Sequence, residues 1–178
     1  MNQSFAALLL AARRERQLVI ATALTDGAPS GQARQARLAQ QQGAGAVELR
    51  ADLLADPAQV CAALTAVRAA SSLPLLLTYR STTEGGKGAG HGQGYEDYLA
   101  SLLQLRPAVA AVDIEMACPA SKALVAEAKA GGYDVVGSCH DFTATPSAAQ
   151  IAEKLAQITA AGADITKVAY MPRTAQDV

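Results

Sequence analysis

Residues 164–170 read DITKVAY, a short β-branched and apolar run of the kind that forms a buried strand, except that Lys167 sits at its centre. Five further runs upstream share the pattern: LVIATAL (18–24), AVELR (46–50), PLLLTYR (74–80), AVAAVDIE (108–115) and DVVGSCH (134–140). Ala-rich stretches of helical period separate them, near 29–42, 57–71, 94–105, 119–131 and 147–161. Pro57, Pro119 and Pro146 stand where a first helical turn tolerates proline, and Gly43, Gly131, Gly132 and Gly162 stand where helices end. Near-continuous apolar strands alternating with helices predict a parallel sheet covered by those helices.

From Leu24 to Lys167 there are 143 residues over five intervals, a repeat of just under 29. That length suits one βα unit, and a full eight-unit barrel takes about 250 residues. The sequence therefore holds about six units. An open flavodoxin-like sheet fits the same count, so periodicity alone does not choose between the two.

The strand ends do choose. The second run ends in Glu48 and Arg50, the third in Thr78 and Arg80, the fourth in Asp113 and Glu115, the fifth in Ser138 and His140, and the sixth carries Lys167. Each pair is spaced by two, so its side chains share one face of the sheet. In an open doubly wound sheet that face lies under helices, where unpaired charges are very costly. In a closed barrel it is the interior, and the C-terminal mouth is where such enzymes build their sites. The expected fold is α/β, a (β/α)8 barrel of which about six units are present. The whole chain, 1–178, is then one incomplete barrel domain led by a helical segment at 1–17.

Composition sets outer limits. Apolar residues make up 51% and charged residues 17%, with a net charge of -1 and a pI near 6.1. No basic stripe invites nucleic acid or an anionic membrane, so a small molecule is the expected partner. Cys61, Cys118 and Cys139 are irregularly spaced and read as buried, reduced thiols. At the N-terminus the arginines follow the apolar run rather than precede it, and no run reaches the ~18 apolar residues that span a bilayer. The expected location is cytoplasmic.

An amine inside a barrel near Arg50 and Arg80 is desolvated and repelled by like charge, and both effects lower its pKa. A neutral lysine is a carbonyl nucleophile, so Lys167 is the candidate for a Schiff base. His140, on the neighbouring strand, suits a proton shuttle. Glu48 is placed to hold substrate hydroxyls or balance the arginines, and Glu84, four residues past Arg80, to orient His140. Cys139 lies beside His140 in sequence but should face the helices, because adjacent strand residues point oppositely. The stretch EGGKGAGHGQG (84–94) lacks the Ser or Thr that follows lysine in a phosphate loop, and reads as a mobile βα loop with His91 in solvent. A lysine and two arginines at the same mouth argue against a metal.

The segments VELRADLL, LLLTYRSTTEGG, AVDIE, GSCHDF, TPS and ADITKVAYMP together resemble the type I 3-dehydroquinate dehydratases of the shikimate pathway, from about residue 18 to the C-terminus. The resemblance implies a hydro-lyase, usually a homodimer, that converts 3-dehydroquinate to 3-dehydroshikimate without metal or cofactor. It implies Lys167 as the imine-forming residue, His140 as general acid and base, and Glu84 as the carboxylate supporting that histidine. Glu48, Arg50 and Arg80 are implied to line the substrate site. On the first strand the family's small hydroxyl residue aligns with Ala21, with Thr22 facing the other way, so that substrate contact is in question. Two further strands expected of the family, with a carboxylate-binding arginine and a closing loop of serine and glutamine, have no counterpart in the 178 residues. Exposed edges on the first and sixth strands are the expected result. The alternative is a non-catalytic remnant of the same barrel that binds a partner; a class I aldolase would share the lysine but not the histidine motif.

Overall fold

The computed structural model describes residues 4–105 and 109–177, so Ala108, at the start of the expected fourth strand, lies outside the described residues. In chain order the elements are α1 (Phe5–Glu15), β1 (Ala21–Leu24), α2 (Pro29–Gln41), β2 (Ala46–Arg50), α3 (Pro57–Ala70), β3 (Leu75–Thr78) and α4 (Gln93–Leu103). β4 (Ala111–Glu115), α5 (Ser121–Ala130), β5 (Asp134–Asp141), α6 (Ala148–Ala160) and β6 (Ile165–Tyr170) complete them. All six strands are parallel and lie in the order β1-β2-β3-β4-β5-β6. A doubly wound sheet reverses its strand order at a switch point; this one never does. The sheet curls into a half-barrel, a sector of a (β/α)8 barrel.

Alternating side chains divide the core in two. Val47, Leu49, Leu75, Leu77, Val112, Ile114 and Val135 point outward and pack with Val60, Leu64, Leu99, Leu102, Leu124 and Val125 of the covering helices. Ala46, Leu76, Ala111 and Val136 point inward and pack with Phe5. The N-terminal segment is thus a plug: α1 closes the floor of the half-barrel. It is held there by Asp134, whose Oδ2 accepts from Ser4 Oγ at 2.7 Å and Ala6 N at 2.9 Å.

Local chemistry sets the boundaries. Asp56 caps α3, accepting from Gln59 N at 2.8 Å, with Pro57 in the first turn. Pro119 and Pro146 fall just outside the helices rather than within their first turns. At α6 the reason is Ser147, which forms a reciprocal capping box with Gln150 and so takes the cap position itself. Gly43, Gly132 and Gly162 follow helices with φ of 84°, 81° and 96°, a conformation that costs a side-chain-bearing residue strain. β1 is shorter than expected, because the ladder to β2 begins at Ala21 opposite Ala46 and leaves Leu18 and Ile20 exposed. No helix among the described residues is long and apolar enough to cross a membrane.

Candidate active site

Register brings the strand-end groups to one mouth. Glu115 stands beside Ser138, Ser138 beside Lys167, and Arg50 beside Thr78, which in turn is beside Asp113. Glu48, Arg50, Arg80, Glu84, His140 and Lys167 line one cavity of about 160 Å³, together with Gly85 and Phe142. Glu48 and Lys167 also face an adjoining cavity of about 580 Å³ that reaches Ala21, Leu76 and Phe5. Six of the seven residues singled out in the sequence therefore share a cavity. Ala21 lines the second cavity but presents only a methyl group, and the residue level with Glu48 on β1 is Ala23.

Arg80 is the hub. Its Nη1 lies 2.9 Å from Glu115 Oε1, 2.9 Å from Ser138 Oγ and 3.3 Å from Glu84 Oε2, and its Nη2 lies 2.8 Å from Asp113 Oδ2. Burial opposes the guanidinium charge, but the carboxylates of Asp113 and Glu115 more than offset it, so Arg80 holds its proton more tightly than a free arginine. Asp113 behaves reciprocally. Burial pushes its carboxyl up, and Arg80, Lys167 and the Ser138 hydroxyl pull it below the usual carboxylate range. Neither strand-end acid snorkels to solvent: Asp113 is 1% exposed and Glu115 0%.

Lys167 sits differently from expectation. Its Nζ lies 3.2 Å from Asp113 Oδ2 and 3.7 Å from Glu48 Oε1, and its side chain is 35% exposed. Its nearest charged neighbours are carboxylates, not the two arginines, because Arg50 is taken up by Asp52 and Arg80 by the acids of β4. The Arg50–Asp52 pair is bidentate, with Nε–Oδ1 and Nη2–Oδ2 both at 2.8 Å. Burial raises the Asp52 carboxyl, but the Arg50 hydrogen bonds and the Lys87 N–H more than offset it and hold it low. Glu48 acts on Arg50 through its charge, and its Oε1 accepts from Thr78 Oγ1 at 2.6 Å.

His140 Nδ1 lies 2.6 Å from Glu84 Oε2, which fixes the imidazole ring and leaves Nε2 for other work. Phe142 stacks near this ring, with centroids 6.3 Å apart and planes 16° apart. It also covers Gly85, whose φ of 81° and closeness to the phenyl ring exclude a larger residue. The second oxygen of Glu84, Oε1, is buried with no hydrogen-bond partner among the described residues. Of the thiols expected to be buried, Cys118 is buried, Cys139 is half-buried and Cys61 is exposed on α3; the Cys139 thiol is pushed up first by burial and then by the charge of Glu84.

The loop after β3 corrects a further expectation. Thr82–Glu84 form a 3₁₀ turn capped by Ser81, and Ser81 bridges to Gly88. Lys87 N donates to Asp52 Oδ2 at 3.0 Å and Ala89 N to Tyr79 Oη at 2.8 Å. Fixed by these bonds, the loop turns His91 inward rather than into solvent, with Nε2 2.5 Å from Glu115 Oε2. Glu84, His91 and Glu115 bring ligand-type atoms within 4.8 Å of one another. The positive charge between the two carboxylates is supplied by Arg80 itself, which is poorly compatible with a cation there.

Asp52, Ser81 and His91 are the site components that sequence reasoning did not select; Glu115 was placed on the shared polar face but given no role. Asp52 had a readable signal, the two-residue spacing after Arg50; His91 had none, since only the loop's path brings it to Glu115.

Comparison with known proteins adds an independent line. Residues 20–178 match the family model described as type I 3-dehydroquinase. The chain is 37% identical over 144 residues to the 3-dehydroquinate dehydratase of Methanosarcina acetivorans, covering 79% of this chain and 60% of that protein. Against the solved 3-dehydroquinate dehydratase of Enterococcus faecalis it superposes with a TM-score of 0.81 at 31% identity, covering 89% of this chain and 68% of the other. The Clostridium difficile type I enzyme, solved with covalently modified comenic acid, gives a TM-score of 0.82 at 24% identity over 89% of this chain and 65% of that one, a likeness of fold. The chain spans about 60% of the length of the curated relatives it matches.

Proposed function

The chain belongs to the type I 3-dehydroquinase family, and from that premise we propose that its cluster of strand-end residues dehydrates 3-dehydroquinate to 3-dehydroshikimate through an imine on Lys167. The observation that carries the reading is the single cavity shared by Lys167, His140, Glu84, Arg80, Arg50 and Glu48.

In this reading Lys167 Nζ, relieved of a proton, attacks the substrate ketone, and the carbinolamine loses water to give the imine. The imine acts as an electron sink. His140 takes the proton from the adjacent carbon, and the electron pair of that C–H bond is held as an enamine. The electrons return as the neighbouring C–O bond breaks, and His140 gives its proton to the departing hydroxyl, which leaves as water. A second water hydrolyses the product imine and frees Lys167. Glu84 holds His140 in one orientation throughout, through the 2.6 Å contact at Nδ1. Asp113 and Glu48 flank the amine and favour the cationic imine as it forms. Arg50 and Arg80 supply positive charge at the cavity wall where the anionic substrate sits. No metal or cofactor enters the reaction. Homodimer formation, which rests on the family resemblance, and a cytoplasmic location, which rests on the sequence pattern, belong to the same proposal.

The test is intact-mass analysis of the purified chain mixed with 3-dehydroquinate and borohydride. A reduced adduct mapped to Lys167 is the expected result. Folded protein that gives no adduct would overturn the reading and favour a non-catalytic binding role for the same half-barrel.

A further inference from the structure

We propose that His91 is a positioning residue for Arg80, acting through Glu115, so that the glycine-rich loop after β3 sets how the site holds its anionic substrate. Glu115 is wholly buried at the end of β4 and requires compensation from every side. Its Oε1 accepts from Arg80 Nη1 at 2.9 Å and Ser81 N at 2.8 Å. Its Oε2 accepts from Ser81 Oγ at 2.5 Å and lies 2.5 Å from His91 Nε2. A carboxylate only accepts, so His91 is the donor of that pair. The imidazole is held from behind by the edge of Tyr95, with ring centroids 5.5 Å apart at 72°. Its backbone N–H donates to Thr83 Oγ1 at 3.3 Å.

Arg80 divides one guanidinium among Glu84, Asp113 and Glu115. With His91 in place, Oε2 of Glu115 is satisfied without Arg80. Without His91, Oε2 keeps only the Ser81 hydroxyl, and a buried carboxylate short of a donor draws the nearest cation toward itself. That cation is Arg80, which lines the cavity. Its displacement alters the charge presented to substrate while Lys167 and the Glu84–His140 contact stay in place. Binding is the property that changes.

The inference deepens the dehydratase reading, and one arm of its test rests on that reading. The first arm needs no substrate: NMR of the arginine guanidinium groups in the 178-residue chain and in His91→Ala. The Arg80 signals should move while those of Arg50, held by Asp52, remain. His91→Gln, which keeps an N–H donor of similar reach, should return Arg80 toward the parent. In the second arm, the 3-dehydroquinate concentration that half-saturates borohydride-trapped adduct should rise about tenfold in His91→Ala, with the adduct at saturation preserved and His91→Gln largely restored. If the parent chain forms no adduct, the dehydratase reading fails, and the first arm alone judges His91. Unmoved Arg80 signals in His91→Ala overturn the inference. So does an equal effect of Ala and Gln, which would assign His91 to packing on Tyr95. Should His91→Ala not fold, His91→Asn, too short to reach Glu115, takes its place in both arms.

Discussion

The middle of the sheet and its two edges are built from the same repeating unit but are held very differently. On β4 every residue is buried, and the acids Asp113 and Glu115 are paired within a closed network. On β6 every residue is only partly buried, and on the β1 side Leu18 and Ile20 are 95% and 65% exposed. The difference is one of neighbours. A βα unit buries its strand only when strands flank it on both sides, and β1 and β6 each pair on one side among the described residues. The proposed nucleophile, Lys167, stands on the loosely held strand, whereas the groups that organise charge around it stand on the tightly held ones.

The largest effect should come from the exposed side. Lys167→Ala should remove the borohydride-trapped adduct and lower turnover by at least about 10⁴-fold, measured by mass and by appearance of the enone chromophore, with little change in unfolding midpoint because the side chain is partly in water. A large loss of stability instead would break the contrast. His140→Ala should leave slow adduct formation but cut dehydration by about 10²–10⁴-fold, and a full rate of dehydration in this variant would remove His140 from its proposed role. Packing gives a direct comparison between the two regions. Ile114→Ala, on β4, should cost about 3 kcal/mol, whereas Ile165→Ala, on β6, should cost about 1 kcal/mol in denaturant unfolding. Equal costs would mean that the edge is packed as firmly as the centre.

The smallest effect is a matter of pH. Asp52 and Asp113 have carboxyls held below the usual range in the folded chain. The unfolded chain therefore binds more protons than the folded one as pH falls past about 3.9. Their contribution to stability is complete above that value and is lost as pH drops through the lower folded-state values. Urea midpoints should accordingly be insensitive to these two groups between neutral pH and about pH 5, then fall in more acidic solution. Asp52→Asn should flatten part of that acid slope, and an unchanged slope would remove Asp52 from the account.

Much of this was legible in the residues. The repeat length and the apolar runs determined a parallel βα sheet, and the two-residue spacing of Glu48–Arg50, Asp113–Glu115 and Ser138–His140 determined one shared polar face, because side chains alternate along every strand whatever surrounds it. The strand-borne candidates followed from the strand pattern: Glu48, Arg50, Arg80, His140 and Lys167 line one cavity, where Glu84 of the loop after β3 joins them. The pairings did not follow. The strand pattern predicts arginines beside Lys167 and solvent around His91, whereas Lys167 stands beside Asp113 and Glu48 and His91 stands on Glu115. Strand register and the course of a loop decide which charges meet, and both are fixed by long-range packing rather than local pattern. The sequence by itself determined which strand-borne groups this protein gathers at the mouth of its half-barrel. Only the tertiary structure decided who pairs with whom, since electrostatic partners are chosen by distance in space and by burial, and neither is a property of neighbouring residues in the chain.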